Sequence, residues 1–494
     1  MLSTPSPKIR WAIFLTLALL ALAVRLPQLG DRPMHTDEAV NGYITGQLLA
    51  GETFHYDPQD RHGPVLYLLA KPIALLCGAH NFAELNETEL RLTPVIIGSA
   101  MILLFGAAVE MFGFIPCLVA ALFFAFAPLP VYYSRYFIHE TLFVAATFGL
   151  MLCGWRTLKT NSTWAAVATG LCAALMLACK ETAVIHFFAL AMAGFLGSAI
   201  TRIIRVPTAK AVATGFGVFI VTTILLFTWG GRNWAALGDL AHAVPRFTAR
   251  AAGEGHQKPF GYYFAVLDPL FIFSLVAIAG CYAAICDAVG RRRQSSLLIM
   301  FYGVATFVIY STIPYKTPWL ALNLWLPLAL LCGLGMEAIW LLATNNTGRW
   351  FITVAFGALL LSMGQQTRTF VFDKPIDEKN PYAYAHTTED LLRLPPRLEE
   401  LAKARHLTQP RIAVVMADAW PLPWYLRKFS SVGFWQPNQE TGTADFFITP
   451  SDVDGKLALQ LKDYRPEFFG VRPNVLIILW RPELKEPSPP PVQP

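Results

Sequence analysis

Long apolar runs that contain almost no charge limit what this chain can fold into more than any other feature. A helix needs about 20 mostly apolar residues to cross a bilayer. The chain is 55% hydrophobic and only 15% charged, against about 25% charged in soluble domains. We therefore predict an all-α polytopic membrane bundle with about eleven transmembrane helices. The runs cover residues 11–29, 90–111, 113–130, 137–154, 163–179, 182–200, 211–229, 263–287, 297–313, 318–342 and 350–366.

The composition changes near Gly364, after which charge and proline occur as they do in soluble proteins. We predict a transmembrane domain over residues 1–367, a small extracytoplasmic α/β domain over 368–484 and a disordered proline-rich tail at 485–494. The α/β class is indicated by β-like runs at 411–416, 445–449 and 474–480 and by helical patterns at 387–394, 396–403 and 421–428.

Lysine and arginine positions predict the orientation. Lys8 and Arg10 place the N-terminus in the cytoplasm. The run at 64–78 is only about 15 residues long and contains Lys71-Pro72, so we treat it as interfacial. Counting it as a span would reverse every later orientation. With it left out, the short basic loops at 155–162, 201–210, 291–293 and 345–349 all face the cytoplasm.

This orientation makes the chain a multi-pass protein of the cytoplasmic (inner) membrane with an extracytoplasmic C-terminal domain. A cleaved signal peptide ending near Ala21-Leu22-Ala23 is the alternative for the start, and it leaves the next loop outside as well. All eight cysteines lie in apolar segments, so neither disulfides nor a zinc site are predicted. The net charge of +6 follows from the basic loops; we expect membrane lipids, and no nucleic acid, as partners.

Under this topology, ionisable groups gather on the outer side, in the first outer loop (30–89) and at several helix ends. Charges at the membrane boundary are costly, so a functional role is the default interpretation. The simpler alternative, that helix ends carry charges anyway, explains each group but not the one-sided set. The candidate site residues are Asp37, Glu38, His62, Arg135, His139, Glu140, Lys180, Glu181, Tyr315 and Lys316.

Two helix starts in the first outer loop frame these candidates. Thr36 is a plausible N-cap that places Asp37 and Glu38 in the first turn. Adjacent helical residues point about 100° apart, so only one of the two acids can face a given cleft. His62-Gly63-Pro64 begins the interfacial helix, and a helix N-terminus beside a histidine can hold a phosphate.

The cations on the outer side suit a phosphate as well. Arg135 matches phosphate oxygens in a fork and shares a helix face with His139. Lys180 and Lys316, the latter beside Tyr315, stand at outer helix ends. The alternatives are that Arg135 and Glu140 pair with each other or with lipid head groups, and that the lysines are interfacial anchors.

Five stretches of the sequence form a recognisable pattern: residues 37–43, 56–67, 134–136, 380–386 and 420–427. Together they resemble the GT-C glycosyltransferases, membrane enzymes that use polyprenyl-phosphate sugars. The similarity is to a prokaryotic subfamily near the protein O-mannosyltransferases and aminoarabinose transferases, some members of which are associated with flippase activity, and it covers nearly the whole chain. One departure is that His62-Gly63-Pro64 stands where the aminoarabinose-transferase branch has a Glu-Lys pair, so the phosphate contact passes to His62, Arg135, Lys180 or Lys316.

The resemblance implies a GT-C fold and an extracytoplasmic transfer of a hexose or pentose from a polyprenyl-phosphate donor to a glycan, lipid or protein acceptor. Asp37 is the expected general base of an inverting reaction, and Glu38 supports it or binds the acceptor. Arg135, Lys180 or Lys316 meet the phosphate charge.

The remaining candidates take supporting roles. Glu140 and Glu181 orient those cations or contact the sugar, and His62 and His139 bind phosphate or sugar. No cofactor is required, and a divalent metal is possible but not predicted. We expect Asp37 and the donor-binding groups to converge on one outer cleft.

Two other functions compete with this one. A transporter or lipid flippase would place ionisable groups near the bilayer midplane, often within inverted repeats. The central turns of the predicted spans are nearly free of such groups. A non-catalytic assembly factor for lipid-linked glycans would explain the topology and leave the outer charges without a task.

Overall fold

The computed structural model describes residues 5–59, 61–251, 256–267, 272–291, 294–453 and 455–483. The predicted proline-rich tail at 485–494 lies outside these residues. Contacts divide the chain into two units. The first unit comprises Met1–Leu29, Leu48–Gly78 and Asn86–Tyr384. The second comprises Gly30–Gln47, Ala79–Leu85 and Ala385–Pro494, so it includes parts of the first outer loop.

Helices make up most of the described chain. The first ten are α1 (Pro7–Arg25), α2 (Thr36–Leu49), α3 (Val65–Cys77), α4 (Glu87–Phe112), α5 (Phe114–Phe126), α6 (Pro128–Tyr133), α7 (Glu140–Thr160), α8 (Thr163–Cys179), α9 (Ala183–Thr201) and α10 (Ala209–Phe227). The others are α11 (Ala236–Ala251), α12 (Tyr262–Leu267), α13 (Ile272–Arg291), α14 (Gln294–Thr312), α15 (Ala321–Leu342), α16 (Asn346–Thr367), α17 (Leu394–Ala404), α18 (Leu422–Tyr425) and α19 (Gly455–Gln460).

Eight helices of the described residues are long and apolar enough to cross a membrane: α1, α4, α7, α9, α10, α14, α15 and α16. The other three predicted spans coincide with the shorter apolar helices α5, α8 and α13. The run treated as interfacial forms α3, which has 13 residues. The predicted class, a helical membrane bundle followed by a small domain with a sheet, is confirmed.

Small residues let the membrane helices approach closely. A Cβ on Gly280 of α13 would collide with the carbonyl of Leu331 in α15, and one on Gly335 of α15 with that of Val276 in α13. Gly170 of α8 meets the backbone of Gly215 in α10 in the same way. Lipid supplies no hydrophobic drive between helices, so such close backbone packing is what holds a bundle together.

The second unit contains a five-stranded sheet in the order β2-β1-β3-β5-β4. β1 pairs in parallel with β2 and β3, whereas β5 pairs antiparallel with β3 and β4. The predicted runs at 411–416, 445–449 and 474–480 form β1, β3 and β5. The two strands without a sequence signal, β2 and β4, are the edges, where half-exposed positions blur the apolar pattern. The strands are β1 (Ile412–Val415), β2 (Val432–Trp435), β3 (Phe446–Pro450), β4 (Tyr464–Arg472) and β5 (Val475–Pro482).

Candidate active site

The two acids at the start of α2 have different environments. The sequence predicts Thr36 as the N-cap of α2, but Thr36 is the first residue of the helix. The N-cap position is therefore taken by His35. The carbonyl of His35 accepts a hydrogen bond from Ala39 N at 2.9 Å. Glu38 is fully buried; its Oε2 accepts the His35 N–H at 3.2 Å and its Oε1 lies 3.1 Å from Arg32. Glu38 thus closes a reciprocal cap and fixes the turn.

Asp37 is the accessible acid of the pair, with 47% of its side chain exposed. Its backbone N–H donates to Nδ1 of His35 at 3.0 Å, which leaves the proton of that imidazole on Nε2. Glu38 turns into the protein, so Asp37 is the one of the two acids with an exposed side chain, and its position in a cleft stays a prediction. Asp37 is therefore the carboxylate that a substrate hydroxyl can reach.

Residues far along the chain in the second unit support this turn. Thr387 Oγ1 donates to the carbonyl of Met34 at 2.6 Å, and the Met34 N–H donates to the hydroxyl of Tyr425 at 2.9 Å. The buried ring of His386 lies 5.6 Å from that of His35. Burial, followed by the charge of Arg32, holds the pKa of His386 well below its usual range. Nothing in the sequence paired these residues with the acids, although His386 and Tyr425 lie in stretches that carry the resemblance.

A second cluster lies in the first unit, where the segment before α3 meets the turn between α8 and α9. His62 Nδ1 lies 2.8 Å from Glu181 Oε2, and the Tyr56 hydroxyl donates to Glu181 Oε1 at 2.6 Å. Burial raises the pKa of Glu181, but the His62 charge and the two hydrogen bonds outweigh it and bring that pKa to about 2. An ionised Glu181 therefore orients the His62 imidazole.

Because Glu181 engages Nδ1 of His62, the Nε2 edge of the ring is the one available for binding. Nδ1 is engaged with Glu181, and 32% of the side chain is exposed. Among the described residues, Nε2 has no hydrogen-bond partner. A carboxylate that accepts the Nδ1–H leaves Nε2 as an acceptor in the neutral ring and as a second N–H in the imidazolium. As an imidazolium paired with Glu181, His62 can donate its Nε2–H to an anionic oxygen at the start of α3.

Gly63 is what allows this placement. A Cβ there would lie 2.9 Å from the Cα of Ala178 and closer still to its carbonyl, at the end of α8. The carbonyl of Gly63 lies 3.2 Å from Nε2 of the buried His139, whose ring centre is 5.3 Å from that of His62. Only glycine brings the chain this close, so the His62-Gly63 segment is set against α8 and His139.

The other cations are already engaged by protein groups. Lys180 forms a buried ion pair with Glu140. Burial lowers the pKa of Lys180, but Glu140 outweighs it and leaves that pKa above its usual value. Lys316 Nζ donates to the carbonyls of Ile313 and Lys258, at 2.5 and 3.2 Å. The ring of Tyr315, beside Lys316, lies 5.1 Å from that of His256.

Arg135 contacts the end of α1. Its guanidinium donates to the carbonyls of Arg25, Pro27 and Gln28 at 2.8, 2.6 and 2.9 Å and lies 4.6 Å above the ring of Phe372. These contacts support a structural task, namely satisfying carbonyls that α1 leaves open. The phosphate-binding roles assigned to Arg135, Lys180 and Lys316 from the sequence stay predictions.

Asp37 and Glu38 belong to the second unit, and the other eight candidates belong to the first. Their convergence on a single cleft stays a prediction. Within the part of the chain that the structure describes, no three or more His, Cys, Asp or Glu residues group so that they could hold a metal ion.

One family model matches part of this chain. A family model described as dolichyl-phosphate-mannose-protein mannosyltransferase matches residues 61–227, which include His62, Arg135, His139, Glu140, Lys180 and Glu181. No curated protein matches the chain.

The similar solved structures cover almost all of the chain at low identity. ArnT from Cupriavidus metallidurans, bound to undecaprenyl phosphate, matches with a TM-score of 0.62 and 14% identity over 95% of this chain and 97% of that one. The Archaeoglobus fulgidus oligosaccharyltransferase with Zn and sulfate matches with a TM-score of 0.60 and 12% identity, over 95% of this chain and 75% of that one. The archaeal oligosaccharyltransferase AglB from Archaeoglobus fulgidus, in complex with an inhibitory peptide and a dolichol-phosphate, matches with a TM-score of 0.52 and 12% identity. The match covers 94% of this chain and 74% of that one.

Proposed function

Because the chain has the fold of the GT-C glycosyltransferases, we propose that it is a membrane glycosyltransferase with a polyprenyl-phosphate sugar donor. The family match across residues 61–227 and the fold shared with ArnT support this class of reaction. The observation that carries the proposal is the division of labour between Asp37 and Glu38. One carboxylate is exposed and the other is buried in the cap that holds it. The transferred hexose or pentose leaves the donor on the extracytoplasmic face.

His62 is the donor-phosphate ligand in this proposal. The phosphate of the donor is anionic, and a His62 imidazolium whose Nδ1–H is bound to Glu181 can donate its Nε2–H to one of the phosphate oxygens. The backbone N–H groups at the start of α3 point in the direction that favours an anion. His62 thus takes the place of the Glu-Lys pair of the aminoarabinose-transferase branch. Lys180, neutralised by Glu140, orients the turn that carries Glu181.

Asp37 is the general base. It removes the proton of an acceptor hydroxyl, and the acceptor oxygen attacks the anomeric carbon. The bond from that carbon to the phosphate oxygen breaks, and polyprenyl phosphate leaves with the electron pair. A phosphate is a good leaving group without protonation, so one carboxylate suffices and the anomeric configuration inverts.

Two variants separate the two roles. In membranes from a deletion strain, Asp37→Asn should reduce sugar transfer to the cell-envelope fraction by roughly 10²–10⁴-fold, the usual contribution of a general base. It should leave binding of undecaprenyl phosphate to the purified protein unchanged. His62→Ala should weaken that binding by roughly tenfold or more, because a hydrogen bond to a charged group contributes about 1.5–3 kcal/mol.

The matched controls are Asp31→Asn and His55→Ala, which change exposed residues of the same types and should leave both readouts unchanged. Wild-type turnover by Asp37→Asn would remove Asp37 from the base role. Wild-type membranes that transfer no sugar would favour a transporter or an assembly factor instead.

A further inference from the structure

Beyond Asp37, the first part of α2 carries a partly exposed strip whose function is not yet assigned. Asp37, Val40, Tyr43 and Gln47 are exposed or half-buried, whereas the intervening residues are buried. Their spacing of three and four residues places them along one side of the helix. The strip thus runs from the proposed base to Tyr43, six residues or about 9 Å along the helix axis.

Three aromatic rings form the far end of this strip, which we call the aromatic platform: Tyr43, Phe82 and Trp420. The Tyr43 ring centre lies 5.3 Å from Phe82 and 5.9 Å from Trp420, both edge-on. Tyr43 is 37% exposed, and the other two are half-buried. All three rings belong to the second unit. A partly exposed aromatic surface on the same strip as the proposed base is a candidate binding surface.

The platform is supported from beneath. Phe82 packs on the fully buried Trp424 at 5.8 Å, and the guanidinium of Arg427 lies 3.9 Å from the Trp424 ring centre. Gly46 lets Phe82 rest directly on α2, because a Cβ there would lie 2.6 Å from Cβ of Phe82. The rings are therefore held in place before anything binds, which lowers the entropic cost of binding.

Polar groups border the platform. Gln47 donates to the Tyr43 hydroxyl at 3.3 Å, and Asp418 Oδ1 accepts the Trp420 N–H at 3.2 Å. The second oxygen of Asp418 lies 3.2 Å from Arg472, and 58% of the Asp418 side chain is exposed. A sugar ring presents C–H groups on its face and hydroxyls around its edge. Aromatic faces bordered by a carboxylate, a guanidinium and an amide match that pattern.

We propose that the aromatic platform binds a sugar ring of the acceptor, so that the acceptor is a saccharide chain of at least two units rather than a single sugar or a bare peptide. The proposal rests on the glycosyltransferase function. One unit stacks on Tyr43 and Trp420, while the reacting hydroxyl of another lies at Asp37, about 9 Å away along α2. Acceptor specificity is then set in the second unit.

The test uses fluorescently labelled full-length protein in detergent on an array of immobilised oligosaccharides, which requires no catalysis. Wild type and Asp37→Asn should bind the same subset of glycans. Tyr43→Ala and Trp420→Ala should each bind those glycans roughly tenfold more weakly, the loss expected for one stacked ring. Tyr43→Phe keeps the ring and should bind like wild type.

Phe468→Ala is the matched control, since it removes a 60% exposed aromatic ring elsewhere in the second unit, and its binding should equal that of wild type. Absence of glycan binding by wild type, or unchanged binding by both alanine variants, would overturn the proposal. Failure of Asp37→Asn to lose sugar transfer, with array binding intact, would count against the base and not against the platform.

Discussion

At the scale of single residues, adjacent or similar side chains differ because burial assigns them different tasks. Glu38 is buried with Arg32 and the His35 N–H, while Asp37 next to it stays exposed. His62 keeps a free edge, while His139 beside it is buried against Gly63. In each pair the two residues are of the same chemical type, so the sequence alone does not distinguish their tasks. Chemistry is therefore assigned by which atoms remain accessible after folding.

His386 makes stability depend on pH. It is buried near Arg32, His35 and Glu38, and its pKa is held well below the usual value, first by burial. In the unfolded chain a histidine titrates near pH 6.5. Below that pH the histidine is protonated in the unfolded state and stays neutral in the folded state. The free energy of unfolding therefore falls by up to about 1.4 kcal/mol per pH unit. Above it, this contribution is fully present.

We expect the loss in melting temperature of the detergent-solubilised protein between pH 7.5 and 5.5 to be smaller in His386→Gln than in wild type. His406→Gln is the control, because His406 is exposed in the same unit, and it should keep the wild-type loss. An equal loss in His386→Gln and wild type would show that this histidine does not carry the effect.

At the scale of helices and strands, the length of an apolar run predicts where a helix or a central strand lies. It does not predict which other elements that helix or strand contacts. Within the described residues, each predicted membrane run contains at least one helix, and the central strands of the sheet follow their apolar runs. The edge strands β2 and β4 were not predicted, because β2 has only four residues and β4 includes Pro466 and has mostly exposed or half-buried side chains. Sequence periodicity reports burial, and an edge strand is buried on too few sides to produce it.

The crossing of α13 and α15 should depend on its glycines. Gly280→Leu places a side chain where the backbone of Leu331 already lies, so the helices must separate. We expect the free energy of unfolding to fall by about 1–3 kcal/mol, as in other overpacked interiors. Thermal unfolding in detergent measures the loss.

Gly357→Leu is the matched substitution, because no atom lies within 4 Å of a Cβ at Gly357 in α16. It should melt close to wild type. Equal melting temperatures for the two leucine variants would show that the α13–α15 contact does not need glycine.

At the scale of the whole molecule, the chain is a multi-pass membrane protein, and its orientation is the prediction on which an extracytoplasmic active site depends. The described residues contain eight helices long enough to span and further shorter apolar ones. Whether the run forming α3 crosses decides the side of every later loop. Its 13 residues include Lys71 and Pro72, which favour an interfacial position over a crossing.

Cysteine accessibility in intact cells tests this orientation. In a variant without the eight native cysteines, single cysteines at Asn81 and Asp377 should react with a membrane-impermeant maleimide. Cysteines at Asn161 and Gly348 should react only after permeabilisation, because their loops carry the basic residues expected in the cytoplasm. Labelling of positions 161 and 348 without permeabilisation, with 81 and 377 protected, would show that α3 crosses the membrane and would reverse the assigned topology.

The sequence by itself determined the membrane class, the predicted spans, the small α/β domain and the acids at the start of α2. These follow from apolar length and local helix chemistry, which act over a few turns. The resemblance from the sequence also anticipated the GT-C fold, which the similar structures confirm.

Only the tertiary structure decided which candidates remain accessible. Arg135, Lys180 and Lys316 are all cations at predicted outer helix ends. The fold commits them to carbonyls or to Glu140 and leaves His62 with an accessible edge. It likewise joined Tyr43 and Phe82 to Trp420, far along the chain. Partners distant in sequence are chosen by packing and by the need to satisfy buried polar groups, and neither leaves a local pattern in the sequence.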